Sequence, residues 1–165
     1  MVKAKPLPPL ELLRDLFEYE SDTGLLHYRR TTRNGLRRAG DTAGHPKDNG
    51  YLQVMVQKRG LLVHRVAWCL YTGQQPPEVI DHINGKVQDN RWGNLRAATA
   101  RQNQGNRRQV GQYLPGTWRK CNRWQAGTPG NYLGMFATEE EAHQAYVQWH
   151  LQRFGEFSIY ADRAS

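Results

Sequence analysis

Four polar side chains, Asp81, His82, Asn94 and Asn103, have types and spacing that could hydrolyse a phosphodiester. That reaction needs a nucleophilic water, a group to deprotonate it, and a cation to neutralise charge developing on the phosphate and the leaving oxygen. His82 suits the base, because an unperturbed imidazole pKa of about 6.5 lets it accept a proton near neutrality. Asp81 offers a hard oxygen for a divalent ion such as Mg²⁺ or Mn²⁺. An asparagine carbonyl can supply another, with water and phosphate filling the remaining positions. Neighbours in an extended strand point to opposite faces, so Asp81 and His82 can serve one site only where the strand breaks. The turn formers Asn84-Gly85 follow directly. Taken singly, these residues say little: an adjacent Asp-His is more often a hydrogen-bonded loop pair, and a loop asparagine is usually a turn residue.

The elements that must position these residues can be read around them. Val79-Ile80 reads as a short strand ending in Asp81-His82, followed by a polar loop from Ile83 to Arg91. Asn94 to Ala98 reads as the returning strand, and Thr99 is a good N-cap for a short helix over Ala100 to Arg107. Upstream, Leu10, Leu13, Leu16 and Phe17 recur at helical spacing, and Asp22-Thr23-Gly24 turns into a strand at Leu25 to Tyr28. The glycine-rich, charged stretch from Arg30 to Gly50 reads as an extended basic loop. Tyr51 to Gln57 is strand-like, with Lys58-Arg59-Gly60 as a turn into Leu61 to Val63. A helix from His64 to Tyr71 is stopped by Gly73 and Pro76-Pro77.

Charge favours a polyanionic partner. The net charge is +8, and the eight basic residues from Arg91 to Arg123 are interrupted by no acid. A second acid-free cluster runs from Arg29 to Arg38. A solvated face is the plain alternative for one short cluster, but Trp118 and Trp124 inside the longer stretch favour nucleic acid. No apolar run approaches the roughly 20 residues of a membrane span. The opening Met1 to Pro6 lacks the apolar stretch of a secretion signal, so a cytoplasmic address is expected. The only two cysteines, Cys69 and Cys121, lack paired spacing, so neither a disulfide framework nor a structural zinc site is expected.

Asp81-His82-Ile83-Asn84-Gly85, Asp89-Asn90-Arg91, Asn94-Leu95-Arg96, Thr99 and Asn103, with Asn106 and Arg107, closely resemble the HNH endonuclease motif of phage homing endonucleases. Asn94 lies 12 residues after His82 and Asn103 lies 21 after it, as in that family. The resemblance covers about Tyr51 to Arg108, and the N-terminal segment looks like the poorly defined flank such phage proteins carry. It implies His82 as general base, Asp81 as metal ligand, and Asn103 as second protein ligand in the position of the motif's final histidine. Asn94 would orient the loop through backbone hydrogen bonds. The zinc-ribbon cysteines of part of the family are missing. His64-Arg65 also matches a segment common before this motif, with packing weighed against a phosphate contact for Arg65. His27, His45, His143 and His150 show no ligand spacing and read as surface or satisfied histidines.

Thr117 to Lys120, Arg123 to Thr128 and Asn131 to Phe136 read as three short strands joined by Cys121-Asn122 and Pro129-Gly130. Thr138 with Glu141 is a capping box opening a helix to about Phe154, closed by Gly155 and carrying Ala142, Ala145, Tyr146 and Trp149 on one face. Gly116-Thr117-Trp118, Arg123-Trp124-Gln125-Ala126, Tyr132 to Phe136 and Ala145-Tyr146 resemble the DNA-binding domain of plant APETALA and ethylene-response factors. That resemblance implies that the sheet, not the helix, meets the DNA major groove. The strands carry Arg119, Lys120 and Arg123, while the helix opens on three glutamates that repel phosphate. Trp118 and Trp124 are either core residues or part of that surface.

The fold expected is therefore α+β: a ββα-metal nuclease unit with an N-terminal flank, then a three-stranded antiparallel sheet packed on one helix. The divisions expected are 1–50 (flank), 51–108 (nuclease), 109–112 (linker) and 113–160 (DNA-binding domain). The activity expected is metal-dependent cleavage of double-stranded DNA by a monomer, in a host cytoplasm if the chain is phage-encoded. Arg65, Arg101, Arg107, Arg119, Lys120, Arg123 and Trp124 are the candidate DNA contacts. The alternative is a non-catalytic DNA-binding regulator with a relic nuclease site, although every motif position holds a competent residue.

Overall fold

A computed structural model describes residues 6–32, 35–107 and 111–161. Arg33 of the basic cluster, Arg108, and residues 109–110 of the expected linker lie outside the described residues. Contacts divide the chain into two compact units, Met1–Ala100 and Arg101–Ser165.

The first unit opens with α1 (Leu10–Leu16), which passes directly into β1 (Phe17–Tyr19), paired antiparallel with β2 (Leu26–Tyr28). Phe17 therefore begins a strand rather than ending the helix. Its backbone is extended (φ −134°, ψ 151°), and it pairs with Tyr28. The stretch read as a basic loop contains β3 (His45–Pro46), which pairs with β4 (Leu52–Val56), and β4 pairs in turn with β5 (Arg59–Leu62). The β4–β5 turn falls at Gln57 and Lys58, both with positive φ, one residue earlier than its composition suggests. Next comes α2 (Val63–Thr72), closed by Gly73 in the left-handed conformation with its N–H on the Cys69 carbonyl, as the glycine and the following prolines imply.

Leu13, Phe17 and Leu26 are buried in one cluster with Val54, Leu61 and Val66. The N-terminal segment is thus part of the core of this unit, not a loose flank. Gly24 (φ +75°) comes so close to the motif loop that an added Cβ would lie 2.3 Å from the Arg91 nitrogen and 2.5 Å from the Asn90 carbonyl carbon. The unit ends with β6 (Val79–His82) and β7 (Leu95–Ala98), an antiparallel pair in the register Val79↔Ala98 to His82↔Leu95, and Ile80 and Leu95 pack with Ala67 of α2.

The helix α3 (Ala100–Gly105) stops two residues short of the expected Arg107. In the second unit an added Cβ on Gly105 would meet the Phe154 ring at 2.5 Å, so only glycine allows this approach. The sheet consists of β8 (Thr117–Lys120), β9 (Arg123–Thr128) and β10 (Asn131–Phe136) in the order β10-β9-β8, all antiparallel. These are the bounds that alternation and turn chemistry give. Against the sheet lies α4 (Glu139–Phe154), opened by the Thr138–Glu141 capping box with both of its hydrogen bonds formed. Its buried residues are Ala142, Tyr146 and His150. Ala145 and Trp149 of the expected face are only half-buried.

No helix among the described residues is long and apolar enough to cross a membrane. Because Leu13 is fully buried among residues from β4, β5 and α2, Leu13→Ala is expected to destabilise the chain by about 2–5 kcal/mol in urea unfolding. A cost below about 0.5 kcal/mol, the range of surface substitutions, would mean that the segment does not share that core.

Candidate functional site

Regular pairing in β6 runs through His82, and the turn starts there, with the Gly85 N–H donating to the His82 carbonyl at 2.8 Å. The strand breaks immediately after His82, and such a break is what allows the neighbouring Asp81 and His82 to serve one site.

Asp81 (3% exposed) shares its face with its cross-strand partner Arg96, whose Nε and Nη2 each lie 2.8 Å from Asp81 Oδ2. A buried carboxylate requires such a partner, and the ion pair also fixes the direction of the carboxylate. Arg96 lies within the sequence motif, but nothing local in the sequence signals this pairing.

His82 (3% exposed) packs against His64 of α2. Its Nε2 is 3.1 Å from Oδ1 of Asn90, itself 1% exposed. The imidazole meets the His64 ring edge-on at a centroid distance of 5.1 Å, and Tyr51 completes the cluster at 5.2 Å from His64 and 5.8 Å from His82. Burial lowers the pKa of His82, opposed by the Asn90 hydrogen bond and by the charges of Asp81 and Asp89. His64 is pushed down to about 3 by burial first, then by the charges of His82 and Arg65. Both rings are therefore neutral at neutral pH, and His82 can accept a proton.

The loop between the strands is closed by side chains. The Asn94 Oδ1 accepts from the Asn84 N–H at 2.9 Å, and its Nδ2 donates to the Asp89 carbonyl at 2.7 Å. The Asp89 carboxylate accepts from Asn84 Nδ2 and from both Nε and Nη2 of Arg91, and this fork holds its pKa down to about 2. Asp89 and Asn90 are functional candidates for which the only sequence signal was their place in the motif.

Arg65 is half-buried, and its Nη1 donates to the carbonyls of Pro77 and Glu78, bracing the α2–β6 connection. Asn103 lies on α3, half-buried, with Arg101 and Arg107 exposed near it in sequence; all three belong to the second unit.

In the sheet of that unit, Thr117 and Ala126 are buried cross-strand partners, which identifies the face toward α4. Alternation then places Arg119 and Trp124 on that same side, at its rim, where the Arg119 guanidinium lies 6.0 Å from the Trp124 ring. Lys120 and Arg123 pair on the opposite, helix-free face with Trp118 and Gln125. The four strand candidates are therefore not on one face. Trp118 and Trp124 are both half-buried, and Trp118 lines a cleft with Gln125, Asn131 and Tyr132, the last 64% exposed. Of the remaining histidines, His150 is buried with its Nδ1 2.8 Å from Ser158 Oγ, and His143 meets the Pro115 carbonyl at 2.8 Å. His27 meets the Gly40 carbonyl at 3.1 Å, and His45 is exposed.

Among the described residues, no three His, Cys, Asp or Glu side chains gather as a metal cluster. What Asp81 offers is one hard oxygen donor with its direction fixed by Arg96. That fits an ion such as Mg²⁺, which keeps several waters and takes one or two carboxylates plus substrate phosphate oxygens.

Residues 61–105, from β5 through α3, match the HNH endonuclease family, which supports a nuclease that cleaves nucleic acid. No curated protein and no solved structure matches the chain.

The buried His64 yields a pH prediction. Unfolded, the imidazole binds a proton below about pH 6.5; folded, it does so only near 3. Stability is thus complete above about 6.5 and falls as the pH drops toward 3, because the unfolded state binds the extra proton. His64→Phe keeps a ring without the proton. Between about pH 6 and 5 it should reduce the slope of unfolding free energy against pH by up to about 1.4 kcal/mol per unit. Parallel curves for the two proteins would show that His64 is not held neutral.

Proposed function

We propose that the chain is a metal-dependent DNA endonuclease of the HNH type, with the sheet of its second unit serving as a DNA-binding module. The observation that carries this reading is the family match over 61–105, which encloses a buried, neutral His82 at the end of a paired strand.

His82 is the general base, taking the proton of the attacking water where β6 gives way to its turn. Asp81 is a ligand of Mg²⁺ or Mn²⁺, and Arg96 keeps its carboxylate in one orientation. Asn103 is assigned as the second ligand on its spacing from His82. Once bound, the ion neutralises charge on the phosphate and on the leaving oxygen. Asn94 orients the loop, a role supported by its bonds to the Asn84 N–H and the Asp89 carbonyl. Arg101 and Arg107, both exposed, are assigned to the DNA backbone, and Arg65 to holding α2 against β6.

In the second unit, Lys120 and Arg123 on the helix-free face are the phosphate contacts, with Trp118 beside them. Arg119 and Trp124 act from the rim. A second module raises affinity through effective concentration even when each site is weak. The substrate is double-stranded DNA and the working form a monomer.

Purified protein incubated with supercoiled plasmid should convert it to nicked or linear DNA with Mg²⁺ or Mn²⁺ and not with EDTA, and His82→Ala should abolish conversion while DNA affinity is kept. Tight binding without cleavage of any plasmid would replace this reading with that of a DNA-binding regulator. For the module, Lys120→Ala combined with Arg123→Ala should lower the slope of log affinity against log salt by about 1.8, or 0.9 per phosphate contact. An unchanged slope would remove those two residues from the interface.

A further inference from the structure

The contact between His82 and Asn90 has a definite polarity. An amide oxygen can only accept, so the imidazole must carry its hydrogen on Nε2 to bond Asn90 Oδ1 at 3.1 Å. The amide cannot be turned round without loss. Its Nδ2 donates to the Gln88 carbonyl at 3.2 Å, and a flipped amide would set oxygen against oxygen there while pointing N–H at the ring. With Asn90 1% exposed, water cannot make good a lost partner.

Asn90 is itself held from outside the loop. The Tyr19 hydroxyl donates to the Asn90 carbonyl at 2.7 Å, and the Trp92 N–H donates to the Ser21 carbonyl at 2.9 Å. Between these two bonds Gly24 lies against the Asn90–Arg91 peptide. Tyr19, Ser21 and Gly24 all belong to the β1–β2 hairpin or its turn, a segment that lies before the family match at 61–105.

We propose that Asn90 is a positioning residue that fixes His82 in the Nε2–H tautomer, and that the β1–β2 hairpin holds Asn90 in place for this task. The bearing of this tautomer on cleavage rests on the nuclease reading above; the tautomer itself does not.

The test is the ring ¹⁵N spectrum of the full-length labelled protein at about pH 8, where a histidine of ordinary pKa is neutral, with His82 assigned by comparison with His82→Ala. The wild type should show a protonated Nε2 and an unprotonated Nδ1. Asn90→Ala should shift both nitrogens toward the values of mixed tautomers, whereas Asn90→Asp, which keeps an accepting oxygen, should retain the wild-type pattern. Plasmid cleavage should fall about 10–100-fold in Asn90→Ala, the range for lost supporting partners of site residues, with DNA affinity unchanged. If Asn90→Ala does not fold, Tyr19→Phe serves in its place: loss of the bond to the Asn90 carbonyl should move the His82 nitrogens in the same direction by less.

A wild type with Nδ1–H, or a folded Asn90→Ala with unaltered His82 shifts, overturns the proposal. The spectrum is read without cleavage, so the two readings fail separately. An inert protein with the Nε2–H pattern fixed by Asn90 loses only its nuclease assignment. An active protein whose tautomer ignores Asn90 loses only this inference.

Discussion

Between His82 and Leu95 the chain leaves a paired strand, extends the ladder by the Ile83 N–H bond to the Asn94 carbonyl, crosses the residues between in turns, and returns to the position opposite its departure. Everything at the candidate site depends on closing that excursion. Its backbone polar groups cannot all reach each other, so short amide and carboxylate side chains stand in for the missing ladder. Asn84, Asp89, Asn90 and Asn94 each bond a group of the loop itself, and the fork between Asp89 and Arg91 ties two neighbours across an exposed corner. Once the loop is closed, Asp81 faces its cross-strand partner Arg96, and His82 meets His64 and Asn90. The burial that lowers the His82 pKa comes with its packing against His64 and Tyr51.

How much of this is legible in the sequence differs between the units for a physical reason. The strands of the second unit are fixed by local signals: the Cys121-Asn122 and Pro129-Gly130 turns delimit them, and the Thr138–Glu141 box starts the helix. Their bounds can therefore be read directly. In the first unit, Phe17 continues an apolar helical pattern and becomes a strand only because Tyr28, eleven residues on, is there to pair with it. Nothing local distinguishes the two outcomes. The same holds for His45-Pro46, whose partner is Leu52-Gln53.

The site residues follow a similar rule. Asp81, His82, Asn94 and Asn103 stand out because types and spacing carry chemistry, and the motif brings Asp89, Asn90 and Arg96 along with them. Their functions were less accessible. That Asn90 meets the ring of His82 depends on the path of the loop, and that Arg96 faces Asp81 depends on a register set by residues at both ends of the hairpin. The separation of Arg119 and Trp124 from Lys120 and Arg123 follows from alternation along the strands.

The contact of Gly24 with the Asn90–Arg91 peptide bears on how this protein can be recombined. A hairpin near the N-terminus and a loop more than sixty residues later are shaped to one another at backbone distance, with no side chain between them to absorb a mismatch. Neither can be exchanged for a relative's version alone. A chimera joined at the start of the family match would inherit a loop from one parent and its mould from the other, and would be expected to fold poorly even if both parents were sound. The two segments form one heritable block, although the chain separates them and only one of them carries the recognised motif.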